Sequence, residues 1–277
     1  VTLKEALALE TGFEHDRMAQ VSDAAGNYCT PRDKKYAKLF HVKAQVKKNK
    51  MELSAKGVSS KVLIDLKGET KTVQAVPMIG KKVSLQDYGD EAAKFLEEAT
   101  GEKVRLTGIG KDYTRHVEVN PDQAEPLPAE KIPVSLADEA PYLLTSTSSL
   151  KDLNARLKAN GKDTIDMDRF RPNIVISGLK PWEEDSLSII RINGALFHVW
   201  QRCGRCQMTT IDRKSLDRGP EPLATMNDFR ERKGQRNFGM HLIPIEMSSG
   251  INIQVGNKMT VLAYNDDRRA EWEKLFG

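Results

Sequence analysis

The chain has 277 residues, of which 39% are hydrophobic and 30% are charged, a balance typical of a soluble globular protein. No run of eighteen apolar residues occurs, which excludes a membrane-spanning helix in this sequence. The formal net charge of +4 is too small to indicate a nucleic-acid partner, and it favours an anionic ligand only weakly.

Alternation of apolar and polar residues predicts a β-rich first half. Residues 17–31 predict a strand, a turn and a second strand. Residues 39–55 and 61–80 alternate in the same way and carry glycine near their bends. One helix is predicted over residues 88–101, where Gly101 lies just past the last helical turn.

A proline-rich segment marks the predicted domain boundary. Residues 117–135 hold four prolines in nineteen positions, a composition typical of a linker. We therefore predict an N-terminal β-rich domain over residues 1–121 and a second domain over residues 122–277. Within the first range, residues 1–17 are expected to belong to the core.

The second half predicts more strands than helices. Helices are predicted over residues 148–161 and 266–277. The predicted strands are residues 173–178, 188–194, 196–203, 241–247 and 251–263. No internal repeat and no regular strand–helix–strand alternation is visible. The sequence therefore predicts an α+β protein that is mostly β, with a barrel-type core and few helices.

The chain has three cysteines, Cys29, Cys203 and Cys206, which cannot form a disulfide framework. Free thiols are typical of a reducing compartment, so we expect a cytoplasmic or cytosol-facing location. An upstream membrane anchor or mitochondrial targeting segment is compatible with a sequence that does not begin with Met.

Two of these thiols, Cys203 and Cys206, lie three positions apart in VWQRCGRCQMTTID. A structural zinc site needs about four ligands, and only His198 lies nearby. A thioredoxin-type pair needs a strand–helix setting, whereas QMTTID is expected to continue as strand or turn. Both thiols packing as small apolar side chains is a third interpretation. The neighbouring Arg202 and Arg205 favour a thiolate that holds an anionic metal complex.

Other residues offer contacts to an anionic cofactor with a phosphate tail. Thr145, Ser146 and Thr147 precede a predicted helix, whose free N–H groups and dipole favour negative charge. Ordinary N-capping explains the same hydroxyls. Arg171 and Asn173 lie where a predicted strand begins, and arginine pairs well with phosphate.

The order and spacing of several motifs resemble the MOSC family, and most closely its amidoxime-reducing members. The motifs are GFEHDRMAQVSDAAGNYCTPRD, SLADEAPYLLTSTSSLKDLNARL, RFRPNIVISG, WEEDS, CGRCQMTTID, EPLATMNDFR, FGMHL and INIQVGNKMTVL. The resemblance covers essentially the whole chain. It implies a MOSC-type β-barrel core preceded by a MOSC N-terminal β-rich domain.

The resemblance implies a molybdenum cofactor, Mo-molybdopterin, held by its dithiolene and by one protein cysteine. Cys206 matches the metal ligand and the catalytic position. The residues that match cofactor-binding positions are Arg17, Thr145, Ser146, Thr147, Arg171, Asn173, Gly204, Arg205 and His241. Gly204 departs from the serine common in the family, and His241 departs from asparagine or an aromatic residue. A strand with a Lys-Ser pair, which begins the relatives, is missing ahead of these motifs.

The implied reaction is the two-electron reduction of N-hydroxylated compounds such as amidoximes, hydroxylamines or N-oxides, N–OH going to N–H plus water. The implied partners are this small substrate and a separate electron-donor protein, such as a b-type cytochrome, a ferredoxin or a flavoprotein reductase. Two other functions stay open. One is a cofactor-binding or sulfur-carrying domain related to cofactor sulfurases. The other is a non-catalytic module with a structural zinc or a bare thiol pair.

Overall fold

The structure, a computed structural model, describes residues 3–68, 70–118, 125–247 and 249–277. Strands dominate these ranges and helices are few, which confirms the predicted α+β, mostly β class. The predicted boundary between residues 121 and 122 lies outside the described residues. No helix in the described ranges has the length and apolar character needed to cross a membrane.

The elements alternate irregularly along the chain. The strands of the first half are β1 (Glu5–Leu9), β2 (Gly12–Phe13), β3 (Ala19–Ser22), β4 (Val42–Lys47), β5 (Lys50–Ala55), β6 (Val62–Asp65), β7 (Lys71–Ala75), β8 (Val83–Asp87) and β9 (Arg105–Ile109). Those of the second half are β10 (Tyr142–Ser146), β11 (Ile174–Ile176), β12 (Leu187–Ile192), β13 (Ala195–Arg205), β14 (Glu231–Arg232), β15 (Gln235–Ile245), β16 (Ile251–Gln254) and β17 (Met259–Tyr264). The α-helices are α1 (Gly89–Thr100), α2 (Thr147–Ala159), α3 (Leu223–Arg230) and α4 (Asp266–Phe276).

The second half is built on one half-barrel sheet with the strand order β11-β10-β15-β13-β12-β17, to which β14 adds through β15. Buried residues of these strands, among them Leu144, Phe197 and Leu242, form one apolar cluster. The start of the chain joins this half, because β1 pairs with β2 and β16 and places Ala8 in the same cluster.

The first half forms two further sheets, with the orders β3-β9-β8-β7 and β4-β5-β6. Helix α1 packs Phe95 and Leu96 against buried residues of these strands. Gly101 ends the helix in the left-handed region, at φ 83°, and its N–H donates to the carbonyl of Glu97. A glycine tolerates this backbone conformation without strain, so the helix prediction over residues 88–101 is confirmed.

The second half contains local structure that the sequence patterns do not predict. β10 and β11 are parallel and joined through α2, which makes one strand–helix–strand unit. Helix α3 begins directly after Pro222 and is not among the predicted helices. Residues 207–210 form a short 3-10 helix, so QMTTID, expected to continue as strand or turn, turns and does not extend β13. The helices predicted over residues 148–161 and 266–277 are confirmed as α2 and α4.

A buried charged cluster ties β13 to the elements around it. Asp185 accepts hydrogen bonds from Arg202 on β13 at 2.8 Å and from Arg230 at the end of α3 at 2.8 Å. Beside it, the fully buried Glu184 accepts from Ser149 at 2.7 Å and has a second carboxyl oxygen with no partner. Burial, together with the charge of Asp185, raises the pKa of Glu184 to about 7.

We predict that Glu184→Gln makes the protein more stable above neutral pH. Between about pH 4.5 and 7 the unfolded chain releases the Glu184 proton, whereas the native state retains it. The stabilising contribution of Glu184 is therefore complete below pH 4.5 and is lost as the pH rises through 7. Glutamine keeps the acceptor for Ser149 and never ionises. We expect a gain of up to about 3 kcal/mol in the free energy of unfolding at pH 8, measured by urea titration, and a gain near zero at pH 4.5. An equal gain at both pH values would contradict this.

Candidate functional site

A cavity of about 610 Å³ lies between the two halves of the chain. Its wall includes Tyr28, Thr30 and Phe40 from the first half and Phe170 and Arg205 from the second. Seven arginines line it: Arg17, Arg32, Arg169, Arg171, Arg205, Arg213 and Arg236. The acidic side chains on the described wall are only Asp16, Asp138 and Glu139. The cavity is therefore suited to an anionic ligand.

Cys206 is exposed on the wall of this cavity, immediately after the end of β13. The pairing of β13 with β15 is interrupted by register shifts on either side of Arg202. At Gly204 an added Cβ would meet only the flexible side chain of Gln235 on β15, which can move aside. This irregular strand end delivers the Cys206 thiol to the cavity.

Cys203 differs from Cys206 because it is buried, with 7% of its surface exposed. Burial raises the pKa of the Cys203 thiol to about 11, against the opposing effect of the Arg205 guanidinium, which contacts its Sγ at 2.7 Å. Cys203 is thus a protonated, packed thiol at neutral pH. The interpretation of the pair as small buried side chains fits Cys203 and does not fit Cys206.

The two arginines of the motif have different roles. Arg205 lines the cavity and donates to the carbonyl oxygen of Phe170 at 2.8 Å. Arg202 instead donates to Asp185 and Glu271, each at under 3 Å, and lies away from the thiols. The expectation that both guanidiniums act on the thiol pair is therefore wrong for Arg202, because a buried carboxylate holds it on the other side of the sheet strand.

Three of the predicted cofactor contacts, Arg17, Arg171 and Asn173, are brought together on one side of the cavity. Arg17 pairs with Asp16 and donates through Nη2 to the carbonyl oxygen of Arg171 at 3.2 Å. Asn173 donates through Nδ2 to Asp16 at 2.6 Å. The Arg17–Asp16 ion pair lies on the cavity wall.

The Arg171 guanidinium makes no hydrogen bond and no ion pair with the described residues, although its side chain is exposed to the cavity. Surrounding protein and the like charge of Arg17 lower the pKa of Arg171, while Tyr28 and Asp138 oppose this. The pKa of Tyr28 itself is raised by burial and by Asp138. A cation held in this way is ready to accept an anionic partner.

His241 lies on β15, the strand that pairs with β13, and its side chain lines the cavity. Its Nδ1 is buried without a hydrogen-bond partner and lies 3.5 Å from a carboxyl oxygen of Glu139. Burial lowers the pKa of His241, and the charge of Glu139 opposes this shift. The ring is therefore neutral at pH 7 unless a ligand changes its surroundings.

Thr145, Ser146 and Thr147 are not among the described residues that line the cavity. Thr145 and Ser146 are fully buried, and the Thr145 hydroxyl contacts the sulfur of Met167 at 3.2 Å. Ser146 precedes α2 and bonds to the Ser148 hydroxyl at 2.6 Å without capping the helix through its side chain. Their contact with a cofactor stays a prediction.

The cavity also contains residues that sequence patterns do not single out. Arg32, Arg169 and Arg213 lie on its wall, and Glu139 faces His241. Arg32, Glu139 and Arg169 each lie within a motif of the MOSC resemblance, which is the sequence signal for them, whereas Arg213 lies one residue beyond CGRCQMTTID. Long-range packing that no local spacing reveals brings them to one cavity.

The donor set agrees with a ligand that brings its own metal. No group of three or more His, Cys, Asp or Glu side chains in the described ranges is arranged to hold a metal ion, so a structural zinc at the cysteine pair is wrong for this part of the chain. The cavity instead offers one exposed thiol and an arginine-rich wall. It also has buried nitrogens without a hydrogen-bond partner on Arg32, Arg205 and His241. These features fit an anionic metal-bearing cofactor.

Comparison with known proteins agrees with the architecture. The MOSC N-terminal beta barrel domain model matches residues 1–103, and the MOSC domain model matches residues 131–276. Molybdenum cofactor sulfurase of Oryza sativa subsp. japonica is 30% identical over 84% of this chain and 28% of that protein. The human protein of the same name is 27% identical over 90% of this chain and 29% of that protein. The chain thus spans less than a third of the length of these relatives, and it belongs to the MOSC family.

Proposed function

We propose that this chain is a molybdenum-cofactor-binding domain of the kind present in molybdenum cofactor sulfurases. In this proposal Cys206 is the thiol through which the cofactor, or sulfur destined for it, is held. The observation that carries the proposal is the single exposed thiol on the wall of an arginine-rich cavity. The names of the relatives support the choice of cofactor.

In this proposal, different residues bind different parts of the cofactor. Arg17 and Arg171 would neutralise the anionic part of the cofactor, since both line the same side of the cavity. Arg205 joins β13 to Phe170 and thereby fixes the strand end that carries Cys206. Cys206 gives up its thiol proton to solvent when it becomes a ligand. When bound, the cofactor supplies redox chemistry at its metal.

Reduction of N-hydroxylated compounds is the second candidate. The exposure of Cys206 favours it, because a metal held by this thiol would be open to a small substrate from the cavity. The reaction takes two electrons and two protons to convert N–OH to N–H plus water. A separate electron-donor protein would supply the electrons.

One experiment separates the two functions. Protein loaded with cofactor is assayed for benzamidoxime reduction with an artificial electron donor and, in parallel, for activation of a second, cofactor-free molybdoenzyme. The proposal predicts activation of the second enzyme and no benzamidoxime turnover. Rapid turnover without activation would favour the reductase. Purified protein with neither molybdenum nor pterin would contradict both functions.

We predict that Cys206→Ala lowers the molybdenum content per chain about tenfold or more, whereas Cys203→Ala retains most of it, because both thiols lie at the cavity but Cys203 is buried and Cys206 is exposed. Metal analysis of the two purified variants measures the difference.

The matched control is thiol alkylation of the folded, metal-free protein. Cys206 should react quickly and Cys203 slowly, since burial keeps the Cys203 thiol protonated and covered. Equal loss of molybdenum in both variants would contradict a single-ligand site.

We predict that Arg171→Ala weakens cofactor binding about tenfold to 150-fold, the effect of losing a charge-assisted bond of about 1.5–3 kcal/mol. Pterin content after oxidation to its fluorescent form measures occupancy. The control is Arg191→Ala, on the exposed surface of β12 outside the cavity wall, which should leave occupancy unchanged. Full occupancy in Arg171→Ala would remove this residue from the site.

A further inference from the structure

The side chain of Asn173 is occupied within the protein. Its Oδ1 accepts from the backbone N–H of Leu143 at 3.0 Å, and its own backbone N–H donates to the carbonyl of Leu143 at 3.0 Å. A backbone N–H can only donate, so the amide orientation is fixed and Nδ2 must face away from β10. Nδ2 donates to Asp16 Oδ2 at 2.6 Å. One of the two Nδ2 hydrogens of Asn173 is therefore directed to Asp16, which lies on the same cavity wall.

Asp16 joins two partners through one oxygen. Its Oδ2 accepts from Asn173 and also pairs with Nη1 of Arg17. The other terminal nitrogen of Arg17, Nη2, donates to the carbonyl oxygen of Arg171 at 3.2 Å. The Arg17 guanidinium is thereby held on both sides, by a carboxylate and by a backbone carbonyl.

The backbone at both arginines needs this support. Arg17 and Arg171 have φ values of 48° and 53°, in the left-handed region that costs a residue with a side chain about 1 kcal/mol or more. The Arg17 carbonyl accepts from the N–H of Leu136 at 3.0 Å, which fixes the backbone but not the side chain. Among the described residues, the hydrogen-bond partners of the Arg17 guanidinium are Asp16 and the Arg171 carbonyl.

Two like charges on one side of the cavity also repel each other. Asp16 is the carboxylate in direct contact with Arg17, and 37% of its side chain is exposed. A carboxylate at this position partly neutralises one of the two cations and fixes its geometry before a ligand arrives.

We infer that Asp16 is a positioning residue: held by Asn173, it aims the Arg17 guanidinium alongside Arg171 for an anionic group of the bound ligand. The identity of that ligand rests on the proposed function, whereas the geometry does not. Asn173, which matches a cofactor contact in the family, acts here through Asp16. The bond between Asp16 and Asn173 joins the segment before β3 to the segment before β11 on one side of the cavity.

The test exchanges the two partners. Asp16→Asn replaces the charged acceptor of Arg17 with a neutral amide, and Asn173→Asp places a second carboxylate against Asp16 without a donor between them. The double variant Asp16→Asn, Asn173→Asp restores an amide–carboxylate bond with the polarity reversed and the net charge unchanged. Glu14→Gln is the matched control, because it removes the same charge two positions away and outside the cavity wall.

Two readouts are used on each folded variant. The first is molybdenum and pterin per chain, where each single variant should lose about fivefold or more and the double variant should exceed both. The second is the rate at which phenylglyoxal modifies Arg17 in cofactor-free protein, mapped by mass spectrometry. It should rise in both single variants, fall back in the double variant and stay unchanged in Glu14→Gln.

The two readouts distinguish failure of this inference from failure of the proposed function. Wild-type protein without molybdenum or pterin would refute the proposed function, and the Arg17 modification rates would still test the positioning. A double variant that is no better than the single variants in either readout would overturn the inference. So would unchanged Arg17 modification in Asp16→Asn.

Discussion

The geometry of the candidate site depends on the point where β13 leaves its regular pairing with β15. Up to Val199 the two strands pair in register, and beyond it the pairing shifts twice before Arg205. Arg205 then ties the strand end to Phe170 by donating to its carbonyl oxygen at 2.8 Å. The shifted pairing and this hydrogen bond together set where the Cys206 thiol meets the cavity.

The same strand is anchored on its other side by charge. Arg202 belongs to a buried cluster with Asp185, which also holds Arg230 at the end of α3. Removing one partner from this cluster would leave a buried charge unpaired, which typically lowers the free energy of unfolding by several kcal/mol. Neighbouring residues of one short motif thus have different roles. Arg202 holds the strand in the core, Cys203 is a packed thiol, and Cys206 faces the ligand cavity.

The sequence predicted the class of the fold and seven residues of the cavity wall, but it could not predict how the residues cooperate. Arg17 and Asn173 were each expected to contact a cofactor, and both lie on the cavity wall. The role of Asp16 as their joint partner could not be predicted, because its bond to Asn173 spans 157 positions of sequence. Thr145 shows a second limit of prediction from sequence. Hydroxyl residues ahead of a helix such as α2 are typical of an anion site, but the fold buries the Thr145 side chain.

The central claim is that the Cys206 sulfur is the one protein ligand to a cofactor-borne molybdenum. X-ray absorption at the molybdenum edge tests this most directly, because it counts the sulfur atoms bound to the metal. We expect one fewer sulfur ligand to molybdenum in a cofactor-loaded Cys206→Ser variant than in the wild-type protein. The Cys203→Ser variant should have the same sulfur count as the wild-type protein. An identical sulfur count in the wild-type and Cys206→Ser proteins would contradict it.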